Sequence, residues 1–434
     1  MRPYDVVLLG ASGFTGNFIT GKLYTACKQH GYKLAIAGRN LNKLDQVKQS
    51  HGISELETVQ VDIEKSESLV ALASKTRLIV DAAGPFRFYG EPVVKACVET
   101  GCDYIDISGE PQFIELMELK YSSLAKTNNC LIISACGFDS VPADIGVAFL
   151  RKKVLDANLI PTSIESFLTI SGGKNGVKAH YGTWESAVHG FSTSEELRKI
   201  RKEYAEKFPT KFPLYGRKFT LKNLFWSNDA DSGSYSAVFP ASGASIVKRS
   251  QRNNYLRNDK YIPTVYSAYF TLGKSYFNIF MISVFGLMFQ TLASFSFGRW
   301  LLLKYPSFFS NGVFSKQGPS PSDMAQTKWK MEFVCKAYAG ANAEIVLANP
   351  QFSRSQGEGE KQIPPPDRKV KLRVSGTEPG YVDTSSIVTT IAINMLKKKS
   401  TLPTGVLTTA SAFEDPTDIV TMLESYGVKF DLNL

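Results

Sequence analysis

The chain has 434 residues, 43% of them hydrophobic and 21% charged, the balance of a folded protein and not of a disordered one. That length exceeds one core of ordinary size, so two domains are expected, or three. The formal charge of +10 points to an anionic ligand or surface, but the basic runs at 198–202, 248–252 and 397–399 are short and no zinc-finger, RNP-type or basic-zipper pattern occurs, so nucleic acid is not an expected partner.

In chain order, residues 6–9 are a β-preferring apolar run between Asp5 and Gly10, a buried parallel strand. No charged region, long apolar run and cleavage site stand there, so no signal peptide is expected. Gly10-Ala-Ser-Gly13-Phe-Thr-Gly16 follows, and residues 18–24 open a helix. Residues 34–37, 59–61, 78–81, 104–107 and 131–134 read as further strands, and 92–100 and 113–127 as helices. Strands alternating with helices make a doubly wound parallel sheet, a Rossmann domain over residues 1–150. Residues 151–400 form a second α/β domain. There 166–171, 330–337 and 343–347 read as strands, 357–366 as a charged, mobile loop, and 381–398 as a helix with a basic last turn. Six scattered cysteines without a CxxC pair leave no expected metal site and read as reduced thiols in a cytosol-facing protein.

One segment stands apart. Residues 275–298 carry no charge, and their length approaches that of a transmembrane helix. Tyr276 at one end and Trp300 and Tyr305 at the other are placed like interfacial aromatics, while Asn278, Ser283, Gln290, Ser294 and Ser296 dilute the run.

The chemistry begins at the glycines. Their spacing between a strand and a helix lets the backbone turn tightly and approach a pyrophosphate, which then faces the helix N-terminus; Gly10, Ser12, Gly13, Phe14, Thr15 and Gly16 are the expected cradle. The second strand ends in Gly38-Arg39-Asn40 where NAD binders usually place an acid for the ribose. Arg39 suits a 2′-phosphate, so NADP is expected ahead of NAD. Asp62, after the third strand, is placed to meet the adenine or to cap its own loop. Ala83, Gly84 and Pro85 follow the fourth strand, small enough for the nicotinamide ribose to lie close. Asp106, Glu110 and Asp139 follow the fifth and sixth strands, at the carboxyl edge where ligands bind such sheets. For a proton donor the chain offers His180 and Tyr181, with Asp139 as a third candidate; packing is the competing reading of the first two.

Together the strings from Gly10, Ala37, Asp81, Tyr104 and Cys136 resemble the saccharopine dehydrogenase-like oxidoreductases of animal type and, more distantly, the bacterial trans-acting enoyl reductases of lipid synthesis. The resemblance implies a Rossmann domain plus a mixed α/β domain, with residues 401–434 returning to the Rossmann domain. It implies oxidoreductase activity and membrane or lipid-droplet association, but not saccharopine chemistry. A chain end that returns puts both flanks of the apolar insert, 275–303, on one side of any membrane. A hairpin turning at Gly286 satisfies that, dipping into one leaflet or a droplet monolayer with Lys274, Arg299 and Lys304 at headgroups. A buried or homodimer-interface helix pair is the main alternative, and a true span the third reading. The functional expectation is an NAD(P)-dependent oxidoreductase that moves hydride to or from a lipid-like or other apolar carbonyl or enoyl substrate on a lipid-droplet or cytosol-facing membrane surface; the alternative is a dinucleotide-binding scaffold without turnover.

Overall fold

The computed structural model describes residues 2–174, 176–208, 212–217, 219–229, 233–350 and 363–433. The first part alternates β1 (Tyr4–Leu9), α1 (Phe14–His30), β2 (Leu34–Gly38), α2 (Leu41–His51), β3 (Glu57–Gln60), α3 (Ser66–Ser74), β4 (Thr76–Asp81), α4 (Phe86–Thr100), β5 (Asp103–Asp106), α5 (Pro111–Thr127) and β6 (Leu131–Ile133). Then come α6 (Val141–Asp156), β7 (Ile160–Ser171), β8 (Ala179–His180), α7 (Tyr181–Ser192), α8 (Ser194–Lys207), β9 (Leu224–Ser227), β10 (Ser234–Val238), α9 (Gly243–Arg257) and β11 (Val265–Gly273). The apolar insert gives α10 (Tyr276–Ser294) and α11 (Ser296–Lys304), followed by α12 (Pro306–Phe309), β12 (Phe314–Ser315) and α13 (Pro321–Gln326). The chain closes with β13 (Lys328–Tyr338), α14 (Gly340–Ala348), β14 (Arg368–Gly376), a π-helical turn (Pro379–Asp383), α15 (Thr384–Lys398), β15 (Gly405–Leu407), α16 (Thr409–Ala412), α17 (Thr417–Ser425) and β16 (Lys429–Asn433).

The first sheet is parallel throughout, in the order β15-β6-β5-β4-β1-β2-β3. Val6, Val7, Leu8 and Leu9 of its central strand are at most 1% exposed, because helices cover both faces. Strand order reverses between β1 and β4, which opens a crevice at the carboxyl edge. The second sheet is mixed, in the order β16-β14-β13-β7-β11-β10-β9, with only β7 and β11 parallel. Helix α6 lies under it, so close that a Cβ on Gly146 would stand 2.5 Å from the Phe333 ring. One apolar core runs from Val6 and Leu8 through Ile145 to Phe333 and Leu372, so the two sheets fold as one body.

Several expectations need correction. Residues 343–347 are part of helix α14, not a strand: Ala343 and Val346 are its buried positions, a helical and not an alternating spacing. Residues after 400 divide between the sheets. Gly405–Leu407 pairs with β6, but Lys429–Asn433 pairs with β14 of the second sheet, not with the Rossmann sheet alone. The first helix begins at Phe14, directly after the glycine turn, and α4 begins at Phe86 with Pro92 inside it. The hairpin turns at Phe295 and not at Gly286. A lone glycine costs a helix about 1 kcal/mol, which nineteen residues absorb. The extended backbone at Phe295 makes the break. Of the expected loop at 357–366, residues 357–362 lie outside the described residues.

Candidate functional site

The crevice is built by the glycines. Gly10 has φ +82°, and a Cβ there would lie 2.8 Å from the Ala83 amide nitrogen on the neighbouring strand end. A Cβ on Gly16 would lie 2.2 Å from the Gly10 carbonyl oxygen. Gly13 N–H donates to that same oxygen at 2.9 Å. The turn is thus closed on itself, and no side chain caps α1 and no acid sits in its first turn. First-turn amides have no partner within a helix, so those of Phe14, Thr15 and Gly16 have the geometry that receives an anion.

Around this turn the other expected cofactor residues take clear positions. Arg39 is exposed at the end of β2, and among the described residues its guanidinium makes no ion pair. Only its carbonyl is held, by Gln60 Nε2 at 3.1 Å, while the neighbouring Asn40 caps α2 through Lys43 N–H. Asp62 accepts from Glu64 N–H at 3.2 Å and lies 3.8 Å from the Lys65 ammonium, an engaged loop cap. Ala83 donates its N–H to Asp81 at 2.9 Å, and Gly84 is exposed beside the turn. Beneath them Asp81, Tyr104 and Asp106 form a fully buried polar cluster. Burial pushes Asp81 up to about 8 and Asp106 up to about 6, so the cluster holds a proton near neutrality. Asp81 and Asp106 accept backbone N–H bonds from Ala83, Ser108 and Ala135, which fixes three strand-end loops.

The second domain closes the crevice through α7. At its start the His180 ring stacks on Phe14 of the phosphate turn, with centroids 4.7 Å apart and planes 13° apart. Tyr381 of the π-turn meets Phe14 edge-on at 4.7 Å and also holds the start of α7, its hydroxyl oxygen accepting from His180 N–H at 2.6 Å. His180 Nδ1 accepts from Gly182 N–H, and burial lowers the ring's pKa, so it is neutral. The Tyr181 hydroxyl donates to Glu185 at 3.2 Å, and burial pushes it up to about 12. Asp139 accepts from Ser242 Oγ at 2.7 Å, and burial raises it too. The three proton-donor candidates are therefore not gathered at one point. His180 stacks on Phe14 of the glycine turn, Tyr181 points to Glu185, and Asp139 is held by Ser242 ahead of α9.

The residue that sequence reasoning missed is Arg87. Its Nε pairs with Glu110 at 2.8 Å, the two side chains being 5% and 3% exposed. Its Nη1 donates to the His189 carbonyl and to Thr193 Oγ1, while Ser186 donates to Glu110. Glu110 also receives Phe86 N–H at the start of α4. Both ends of α7 are thus tied to the cofactor edge. Its opposite side carries the insert: Trp184 donates to the Leu302 carbonyl at 2.8 Å and packs on Phe289 at 5.0 Å.

Comparison with known proteins agrees with this geometry. Residues 6–133 match the saccharopine dehydrogenase NADP binding domain. The human saccharopine dehydrogenase-like oxidoreductase is 37% identical over 99% of this chain and 97% of its own. The chain belongs to the saccharopine dehydrogenase-like oxidoreductase family. Its cofactor is accordingly NADP. A Caenorhabditis elegans relative, the lipid droplet localized protein, is 32% identical over 100% of this chain and 99% of its own, and an Arabidopsis thaliana relative at 34%, over 99% and 96%, is named probable mitochondrial. The trans-acting enoyl reductase of Mycobacterium leprae is 35% identical over 36% of this chain and 37% of its own. The apo saccharopine dehydrogenase (L-Glu forming) of Saccharomyces cerevisiae shares the fold, with a TM-score of 0.57 over 99% of this chain and all of that one at 12% identity.

Proposed function

We propose that this family member is an NADPH-dependent reductase of a lipid-like carbonyl or enoyl substrate, working with α10 laid into one leaflet or a droplet monolayer. The observation that carries the surface half is the outer stripe of α10. Tyr276, Phe277, Phe280 and Leu287 are 63–75% exposed, on the one helix among the described residues long and apolar enough to cross a membrane. Both ends of that helix are moored to the same body: Tyr276 bonds Tyr235 of β10 at 2.6 Å, and Phe289 packs on Trp184 of α7. A span with its ends on opposite sides does not fit that mooring; sideways immersion does. Phe297, Trp300 and Phe308 extend the apolar surface, and Lys304 lies over the Trp300 ring, the pairing of amphipathic groups found at lipid interfaces. Because α7 joins this surface to the phosphate turn, an apolar substrate has a short way to the cofactor, which supplies the hydride.

One observation favours a second reading, a scaffold that holds NADPH without turnover: His180 Nδ1 and the Tyr181 hydroxyl are spent on internal bonds. Two measurements test the proposal. NADPH oxidation is followed with vesicle-borne enoyl and carbonyl lipids; tight NADPH binding without oxidation of any lipid leaves only the scaffold. Flotation with phosphatidylcholine vesicles is compared for the wild type and the Phe280→Asp, Leu287→Asp variant. Each buried acid costs about 2.5–3.5 kcal/mol in lipid, so bound protein should fall at least about tenfold, and unchanged flotation refutes insertion.

A further inference from the structure

The outer face of the second sheet carries a cavity of about 420 Å³ that the dinucleotide site does not use. Its position follows from strand alternation. Trp329, Val374 and Phe430 point into the core, so Lys328, Lys330, Arg373, Ser375 and Lys429 point out. Register then sets these groups side by side. Lys330 is opposite Thr169 on one side and Ser375 on the other, and Ser375 is opposite Lys429. Lys328 is opposite Ser171. Four adjacent strands thus present hydroxyl, ammonium, hydroxyl and ammonium in one row.

Charge balance separates this cavity from its neighbour. The adjoining one, of about 220 Å³, is lined by Asp229, Glu332 and Asp431 as well as Lys371 and Arg373. The larger one is lined by Lys328, Lys330, Arg373 and Lys429 with no carboxylate among the described residues. Glu332 reaches Arg373 at 2.9 Å and Lys330 at 3.9 Å from outside the lining. Lys328 and Lys429 take no ion pair among the described residues. Like charges gathered across strands work against the sheet unless an anion joins them. Ammonium groups as point charges flanked by hydroxyls suit a phosphate.

The place of the cavity names the source of that phosphate. Strands β7 and β11 are parallel, so their carboxyl ends lie at one edge of the sheet. Thr169 of the cavity bonds Thr271 of β11 at 2.8 Å, and after Gly273 and Lys274 the chain enters α10. The basic row and the root of the apolar helix thus share one edge: at about 4.8 Å per strand, Thr169 stands one strand from β11, Lys330 two strands and Lys429 four. We propose that this cavity seats the phosphate of an anionic lipid headgroup while α10 lies in the same leaflet. The lipid source rests on the surface reading given above; the anion site stands on its own charges.

The test uses the full chain and phosphatidylcholine vesicles with and without phosphatidic acid. Phosphatidic acid should raise flotation of the wild type about tenfold or more. The Lys328→Gln, Lys429→Gln variant, altered only at exposed side chains, should float on neutral vesicles like the wild type but lose most of that increment. An increment of the same size in both proteins overturns the proposal. Soluble dibutyryl phosphatidic acid and inorganic phosphate, titrated by calorimetry, separate the two readings. Binding of the soluble headgroup by the wild type and not the variant, together with the vesicle increment, supports the headgroup site. Phosphate bound in solution with no flotation on either vesicle overturns the lipid source and the surface reading together. Loss of neutral flotation in the Phe280→Asp, Leu287→Asp variant with the phosphatidic acid increment kept supports the headgroup site apart from insertion.

Discussion

The phosphate turn and helix α10 are both rich in small or apolar residues, yet they are fixed by opposite means. The turn is over-determined from within: Gly10 and Gly16 have no room for even a methyl group. The helix is under-determined: among the described residues nothing beyond the helix's own backbone lies within 4 Å of where a Cβ on Gly286 would stand, and 11% of its apolar window is buried. A feature whose constraints are internal is complete in the folded chain. A feature whose apolar surface faces outward takes its last constraint from what the chain touches. Between them stands α7, stacked on Phe14 at one end and carrying Phe289 on its far side.

The largest effect is expected where that link is broken. Arg87→Ala leaves Glu110 as a buried, unpaired carboxylate and frees the end of α7. The cost should be about 3–5 kcal/mol, read as a lower urea midpoint. Arg87→Met with Glu110→Gln should recover most of it, because the charge goes with its partner. A loss below about 1 kcal/mol for the single change would mean that α7 merely rests on the cofactor edge, and the two regions would then be independent.

Legibility in the sequence follows the same division. The inner strands β1, β2, β4 and β6 were readable because both-face burial leaves near-continuous apolar runs, and the phosphate turn because its glycines sit at fixed steps between strand and helix; the edge strand β3, half exposed, was marked only by its place in the alternation. Arg39 was readable because it stands where an acid is usual. Arg87 gave no signal: nothing local marks a cation whose carboxylate lies 23 positions on in β5's loop and whose other partners lie past residue 188. The π-turn was hidden too, although Glu378-Pro-Gly before Tyr381 is a cap in retrospect, the Glu378 carboxylate accepting the N–H groups of Gly380, Tyr381 and Val382. The strand β16 was misplaced because its partner β14 is a matter of tertiary register. Gly286 misled because glycine is read as a break, whereas a helix side with nothing against it tolerates one.

The next effect isolates the turn. In Gly16→Ala the new methyl group meets the Gly10 carbonyl at 2.2 Å, so either the turn opens or α1 shifts. Overpacking of this kind costs up to about 3 kcal/mol, and NADPH affinity should fall about 100-fold by fluorescence titration. Flotation on vesicles should not change, since α10 is anchored elsewhere. A change in flotation of similar size would show that the cofactor edge and the lipid surface are one cooperative unit.

The smallest effect sharpens the cofactor side alone. The Arg39 side chain holds nothing together: Gln60 takes its carbonyl and Asn40 caps the helix that follows. Arg39→Ala should therefore leave the unfolding midpoint where it is. A charge-assisted hydrogen bond is worth about 1.5–3 kcal/mol, so NADPH affinity should fall roughly 10- to 100-fold. NADH carries no 2′-phosphate for the guanidinium to meet, and its affinity should stay within about twofold. Equal losses for both dinucleotides would place Arg39 on the shared part of the cofactor and remove the 2′-phosphate as the reason for its isolation.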